Sequence, residues 1–112
     1  MTGPNETAMI NVATLTAWLD AGEADLYDVR EPAEFAADRI AGSTLLPLSN
    51  FDLSAVDTHS ERHLVFHCKS GVRCGMASQI LRTAGFEGPI HRLEGGILAW
   101  KAAGGKIQPG ND

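Results

Sequence analysis

The chain has no hydrophobic run approaching the roughly 20 residues that a helical membrane span requires. Its first eight residues lack the basic and apolar regions of an export signal. Basic residues are in deficit: 9 Lys and Arg stand against 14 Asp and Glu, for a formal net charge of −5. This balance argues against nucleic acid as a partner, because phosphate binding needs a basic face. It also requires any anion site to be locally basic. Cysteine is scarce, with two in 112 residues, and with no export signal a cytoplasmic protein with reduced thiols is expected. There is no Cys-x-x-Cys motif, and His59, His63 and His91 show no metal-ligand spacing with the cysteines, so no zinc site is expected. Repeats and low-complexity segments are absent. What is present is an ordinary globular composition, 44% hydrophobic and 21% charged, on a chain sized for one core.

Short apolar stretches alternate with helix-like ones. The expected order is a strand at Met9-Ile10 and a helix over 14–21 closed by Gly22, with Leu15, Trp18 and Leu19 on one face. A strand at 26–29 follows, then a helix opened by Pro32 and ending near Asp38. Next come a strand at 43–46 stopped by Pro47, a brief helix within 51–56 and a polar connection over 57–62. The central strand is placed at 63–67, a helix at 73–84 closed by Gly85, a strand at 89–93 and a last helix at 96–102. Such alternation predicts an α/β fold with a parallel sheet covered by helices on both faces. Residues 1–8 read as a loose lead-in, 9–106 as the domain and 107–112 as a polar tail.

In parallel sheets reactive groups gather beyond the carboxyl ends of strands. The stretch that fits this is Cys68-Lys69-Ser70-Gly71-Val72-Arg73, between a strand and a helix start. A tight turn leading into a helix points several N–H groups at one spot, and a thiol there is stabilised as its reactive anion. Packing alone would more often place a cysteine within the apolar run. Arg73 is placed badly for a plain helix, since a cation at the positive end of the dipole costs about 0.3–1 kcal/mol. An anion or a carboxylate such as Asp28 or Glu31 is therefore expected beside it. Asp28 and Arg30, at the end of their own strand, are candidate supporting residues in the same crevice. Ser70 has the chemistry to donate to a sulfur or to steady the turn, and Gly71 to take a backbone angle that other residues resist. His67 is a tempting base, but neighbours on a strand point to opposite faces, which makes a core or surface histidine the expectation. Cys74 carries two readings: a resolving or modulatory thiol for an oxidised or persulfidated Cys68, or a buried residue of the helix.

Four segments taken together resemble the rhodanese family over nearly the whole chain, from about Met9 to Lys106. They are Asp28-Val29-Arg30-Glu31-Pro32-Ala33-Glu34-Phe35, Ile40-Ala41-Gly42-Ser43 with Pro47-Leu48, the loop from Cys68 to Arg73, and Leu93-Glu94-Gly95-Gly96-Ile97 with Trp100. The resemblance implies a rhodanese-like fold, a five-stranded parallel sheet flanked by helices. It implies a sulfurtransferase in which Cys68 takes a sulfane sulfur from a thiosulfate-like donor and holds it as a persulfide. Cyanide or a cellular thiol, a protein thiol included, is the implied acceptor. The amides of Lys69, Ser70, Gly71, Val72 and Arg73 would cradle the terminal sulfur, with no metal or organic cofactor. Two departures stand out: Asp38-Arg39 replaces the usual Gly-His, and Cys74 stands where serine or threonine is commoner.

Three other functions compete. Phosphatases and arsenate reductases of related fold also close a cysteine loop with arginine, but their loops place five residues between the two. Here four residues separate Cys68 from Arg73, a smaller cradle better fitted to one sulfur than to a tetrahedral oxyanion. Inactive interaction modules of the family typically lack the loop cysteine, which is present. A thiol oxidoreductase would pair Cys68 with Cys74, without the usual motif.

Overall fold

The computed structural model describes residues 7–109. The chain runs β1 (Thr7–Ile10), α1 (Val12–Asp20), β2 (Ala24–Asp28), α2 (Pro32–Ala37), β3 (Asp38–Ile40) and β4 (Thr44–Leu45). After two short 3-10 turns at Leu48–Asn50 and Leu53–Ala55 it continues with β5 (His63–His67), α3 (Arg73–Thr83), β6 (Ile90–Leu93), α4 (Gly96–Ala102) and β7 (Ile107–Pro109). Local chemistry sets the helix starts. The Asn11 side chain accepts from the Thr14 amide at 2.8 Å to cap α1. Pro32 opens α2 inside a reciprocal capping box between Glu31 and Glu34.

Five strands form one parallel sheet in the order β1-β6-β5-β2-β4, so the strand that feeds the cysteine loop lies in the middle. Side-chain alternation along β5 divides the core. Leu64 and Phe66 face α3, where Cys74, Ala77 and Leu81 pack with Tyr27, Val29 and Ile90. Val65 faces the other way, toward Leu15 of α1 and Ile97 and Trp100 of α4. Helices thus cover both faces. Each fully buried side chain of this kind contributes about 1.5–3 kcal/mol, so the middle of the sheet is the firmest place from which to hang a loop. Among the described residues no helix is long and apolar enough to cross a membrane.

The structure departs from the sequence reading at its margins. Thr7 and Ala8 belong to β1 rather than to the lead-in, of which residues 1–6 lie outside the described residues. Ile107–Pro109 of the expected tail pairs antiparallel with β3, from Asp38↔Pro109 to Ile40↔Ile107, while 110–112 lie outside the described residues. This small second sheet has no helical or alternating signature long enough to read, because its pairing is non-local. The brief helix expected within 51–56 is a 3-10 turn at Leu53–Ala55, with another just before it. At Asp38-Arg39, Arg39 stacks over the Phe35 ring at 4.3 Å and Asp38 pairs with Lys101 at 2.5 Å.

Candidate active site

Cys68 follows the last residue of β5 on the same side as Leu64 and Phe66, facing α3. It is 1% exposed, while Lys69, Ser70 and Val72 above it are exposed. The Gly71 amide donates to the Cys68 sulfur at 3.1 Å. The amides of Ser70 and Cys74 also face this sulfur, and the Cys74 thiol, which donates to the Gly71 carbonyl at 3.2 Å, lies beside it. These bonds hold the Cys68 thiol down at about 5, the Cys74 thiol contributing most, against the upward push of burial. These contacts favour the thiolate at neutral pH. The Cys74 thiol, fully buried, is pushed up by its bond to Cys68 and by burial, so the pair shares one negative charge and one proton.

The loop holds its amides inward because its carbonyls are engaged elsewhere. Ile97 and Leu98, at the start of α4, donate to the Cys68 and Lys69 carbonyls at 2.9 and 3.2 Å. Gly96 makes this approach possible. Its φ is +60°, and a Cβ there would lie 2.5 Å from both carbonyl oxygens. Gly71 takes the φ of +116° that turns the chain back over the sulfur.

Arg73 has a carboxylate beside it, but neither of the two expected. Its two terminal nitrogens donate to Glu34 of α2 at 2.7 and 2.9 Å. Arg73, with the Glu31 amide in support, holds the Glu34 carboxyl down at about 2. Asp28 is unavailable because it is spent on Arg30. That buried pair is bidentate, with contacts of 2.7 to 3.0 Å, and Arg30 also donates to the Asp38 carbonyl at 2.7 Å. Glu31 caps α2 and bonds Ser49 instead. Asp28 and Arg30 therefore brace the neighbouring strand end and bond neither Cys68 nor Arg73.

His67 lies on the opposite face from Cys68, fully buried, with its Nε2 3.6 Å from an Asp28 oxygen. Burial pushes its pKa down, against the pull of Asp28. It is a core histidine whose Nδ1 lies 3.3 Å from the Cys68 carbonyl oxygen. Arg92 is the residue that sequence reasoning missed. It projects from β6 to donate to the Gly71 carbonyl at 2.6 Å and to the Cys74 sulfur at 3.4 Å. Glu34 was missed as well, although its place in the capping box with Glu31 was a readable signal. For Arg92 the signal was a charge inside a short strand between the buried Ile90 and Leu93, which must find a partner. Among the described residues no three His, Cys, Asp or Glu are grouped to hold a metal.

Comparison with known proteins gives this geometry its relatives. The chain is 49% identical over 79 residues to an uncharacterized protein of Synechocystis, covering 70% of this chain and 44% of that one, so it spans less than half of that relative. A protein of Allochromatium vinosum named sulfurtransferase is 33% identical over 85 residues, covering 76% of this chain and 78% of that protein. The crystal structure of a rhodanese-related protein from Thermoplasma volcanium superposes with a TM-score of 0.76 at 27% identity, covering 90% and 97% of the two chains. The Rhodanese-like domain family model matches residues 11–103. That match takes in the strand, the loop and the α4 clamp that together present the Cys68 thiol, and the chain belongs to the rhodanese-like domain family.

Proposed function

We propose that the protein is a sulfurtransferase that carries a sulfane sulfur as a Cys68 persulfide. The observation that carries this reading is a buried cysteine sulfur inside its own amide cradle, bonded by the Gly71 amide at 3.1 Å and faced by the amides of Ser70 and Cys74, which favour its thiolate. With the anion site filled by the protein, the partner it calls for is an electrophilic sulfur. In the first step the Cys68 thiolate attacks the outer sulfur of thiosulfate. A Cys68 S–S bond forms, the S–S bond of thiosulfate breaks, and sulfite leaves with the electron pair. In the second step cyanide, or a thiolate acceptor such as a protein cysteine, takes the outer sulfur and returns the Cys68 thiolate. The amides that face the thiolate would stabilise the terminal persulfide charge in the same way. Lys69, exposed at the mouth of the loop, supplies local positive charge for an anionic donor on a chain of net charge −5.

Arg73 speaks against a phosphatase. A loop arginine that holds a phosphate needs its guanidinium fork free, and both terminal nitrogens of Arg73 are engaged by Glu34. The family and the low thiol pKa support an active cysteine over a silent interaction module. The proposal includes a cytoplasmic location with reduced thiols. Incubation with thiosulfate should add one sulfur atom to the protein by mass spectrometry, and cyanide should then release thiocyanate. Cys68→Ser should abolish both. Wild-type turnover in Cys68→Ser, or hydrolysis of p-nitrophenyl phosphate without sulfur loading, refutes the proposal.

A further inference from the structure

The guanidinium of Arg92 lies against both residues that govern the Cys68 sulfur. It has room because residue 75 is glycine: a Cβ there would stand 2.9 Å from Nη2. The Cys74 thiol has one proton and two acceptors within reach, the Gly71 carbonyl at 3.2 Å and the Cys68 sulfur. Arg92 biases the choice between them. The Gly71 oxygen already holds a charge-assisted bond of 2.6 Å from Arg92, which makes it a poorer acceptor for anything else. The Cys74 sulfur accepts from Arg92 Nε at 3.4 Å, and a thiol whose sulfur accepts is a stronger donor. Both effects turn the Cys74 proton toward Cys68.

We propose that Arg92 is a positioning residue for the Cys68 thiolate, acting through the Gly71 carbonyl and the Cys74 thiol, and that Cys74 is a hydrogen-bond donor rather than a second nucleophile. This rests on the reading of Cys68 as the reactive thiolate and is independent of which donor it meets. The burial of Cys74 agrees, as does the upward push on its pKa: a thiol that keeps its proton beside a thiolate does not attack. The bond from Arg92 to Gly71 has a second consequence. It orients the peptide between Gly71 and Val72, with the carbonyl pointing at the guanidinium.

The test is the pH dependence of Cys68 alkylation by iodoacetamide, followed by peptide mass spectrometry so that the two cysteines are read separately. A midpoint is used because the slow access of a buried thiol lowers the rate at every pH without moving it. Cys74→Ala and Arg92→Lys should each raise the midpoint by about one unit, roughly a tenfold loss of thiolate below it. Arg92→Lys keeps a cation and loses the fork, so it separates the hydrogen bonds from charge alone. Cys74→Ser keeps a donor and should hold the midpoint close to the wild-type value. In the Cys74→Ala background Arg92→Lys should add less than it does alone, because part of its effect passes through the thiol. Should Cys74→Ala not fold, Arg92→Lys and Arg92→Gln carry the test.

A low wild-type midpoint that Arg92→Lys and Arg92→Gln leave unmoved overturns this proposal and spares the thiolate reading. An ordinary wild-type midpoint overturns both. If the thiosulfate-loaded protein instead converts to a Cys68–Cys74 disulfide with release of one hydrosulfide, Cys74 is a nucleophile and the proposal is wrong.

Discussion

Replacing Gly96 by alanine tests the claim that α4 holds the cysteine loop by its carbonyls. The structure gives the perturbation three parts. A side chain at a φ of +60° costs about 1–2 kcal/mol. The new methyl meets the Cys68 and Lys69 carbonyl oxygens at 2.5 Å, where backbone must shift, and overpacking of this kind costs about 1–3 kcal/mol. The shift loosens the bonds from Ile97 and Leu98, each with a net contribution of about 1 kcal/mol. The expected loss is roughly 3–6 kcal/mol, out of the 5–15 kcal/mol that holds a typical domain together. Gly104→Ala is the control: its φ is +80° but nothing lies within 4 Å of its Cβ, so only the backbone cost of about 1–2 kcal/mol remains. Urea unfolding of both variants measures the difference, and the alkylation midpoint of Cys68 should rise in Gly96→Ala alone. Equal destabilisation of the two would refute the clamp.

Glu34→Gln should destabilise by only about 1 kcal/mol, because the two side chains it separates remain 32% and 27% exposed and are screened by solvent. Glu34 has a depressed folded pKa, so its stabilisation is present above the ordinary carboxyl range and lost as pH falls toward about 2. Urea midpoints across that window should therefore flatten in Glu34→Gln. His67 is also depressed, by burial, so the fold should lose stability as pH drops below the ordinary histidine value of about 6.5. A His67→Gln variant should be less stable at pH 8 yet lose less between pH 7 and 5, and an unchanged slope there would show that another group titrates.

Much of this molecule was legible because its signals are local. The apolar run at 63–67, the glycine stops and the helical spacing from Arg73 to Leu81 each decide their own segment, and the middle of the sheet follows from them. The misfit of Arg73 with its helix dipole correctly called for a carboxylate. Which one was not readable, since Asp28, Glu31 and Glu34 all lie about 40 positions away, and only the folded structure shows the first two engaged by Arg30 and Ser49. β3 and β7 escaped for a related reason: each is three residues long, and neither has a pattern until the other lies beside it. Arg92 belongs to the same class. Its role depends on a gap left by Gly75, a juxtaposition across 17 positions that no periodicity encodes.

The charge count of the loop explains why its size matters under the proposed cycle. An open cradle of amides binds whatever anion diffuses in, and a longer loop leaves room for a tetrahedral one. In this shorter loop the amides at rest face the protein's own cysteine sulfur. Neither step changes the number of negative charges held there. The thiolate becomes a persulfide with its charge one bond further out, and the charge returns to Cys68 when the outer sulfur leaves. Donors fixed by the α4 clamp and by Arg92 therefore face the same charge throughout, with little reorganisation at the moment of reaction. The proton on Cys74 is what keeps that count at one. If it left, two adjacent buried thiolates would repel, and the cradle would lose the donor that contributes most to holding Cys68 ionised.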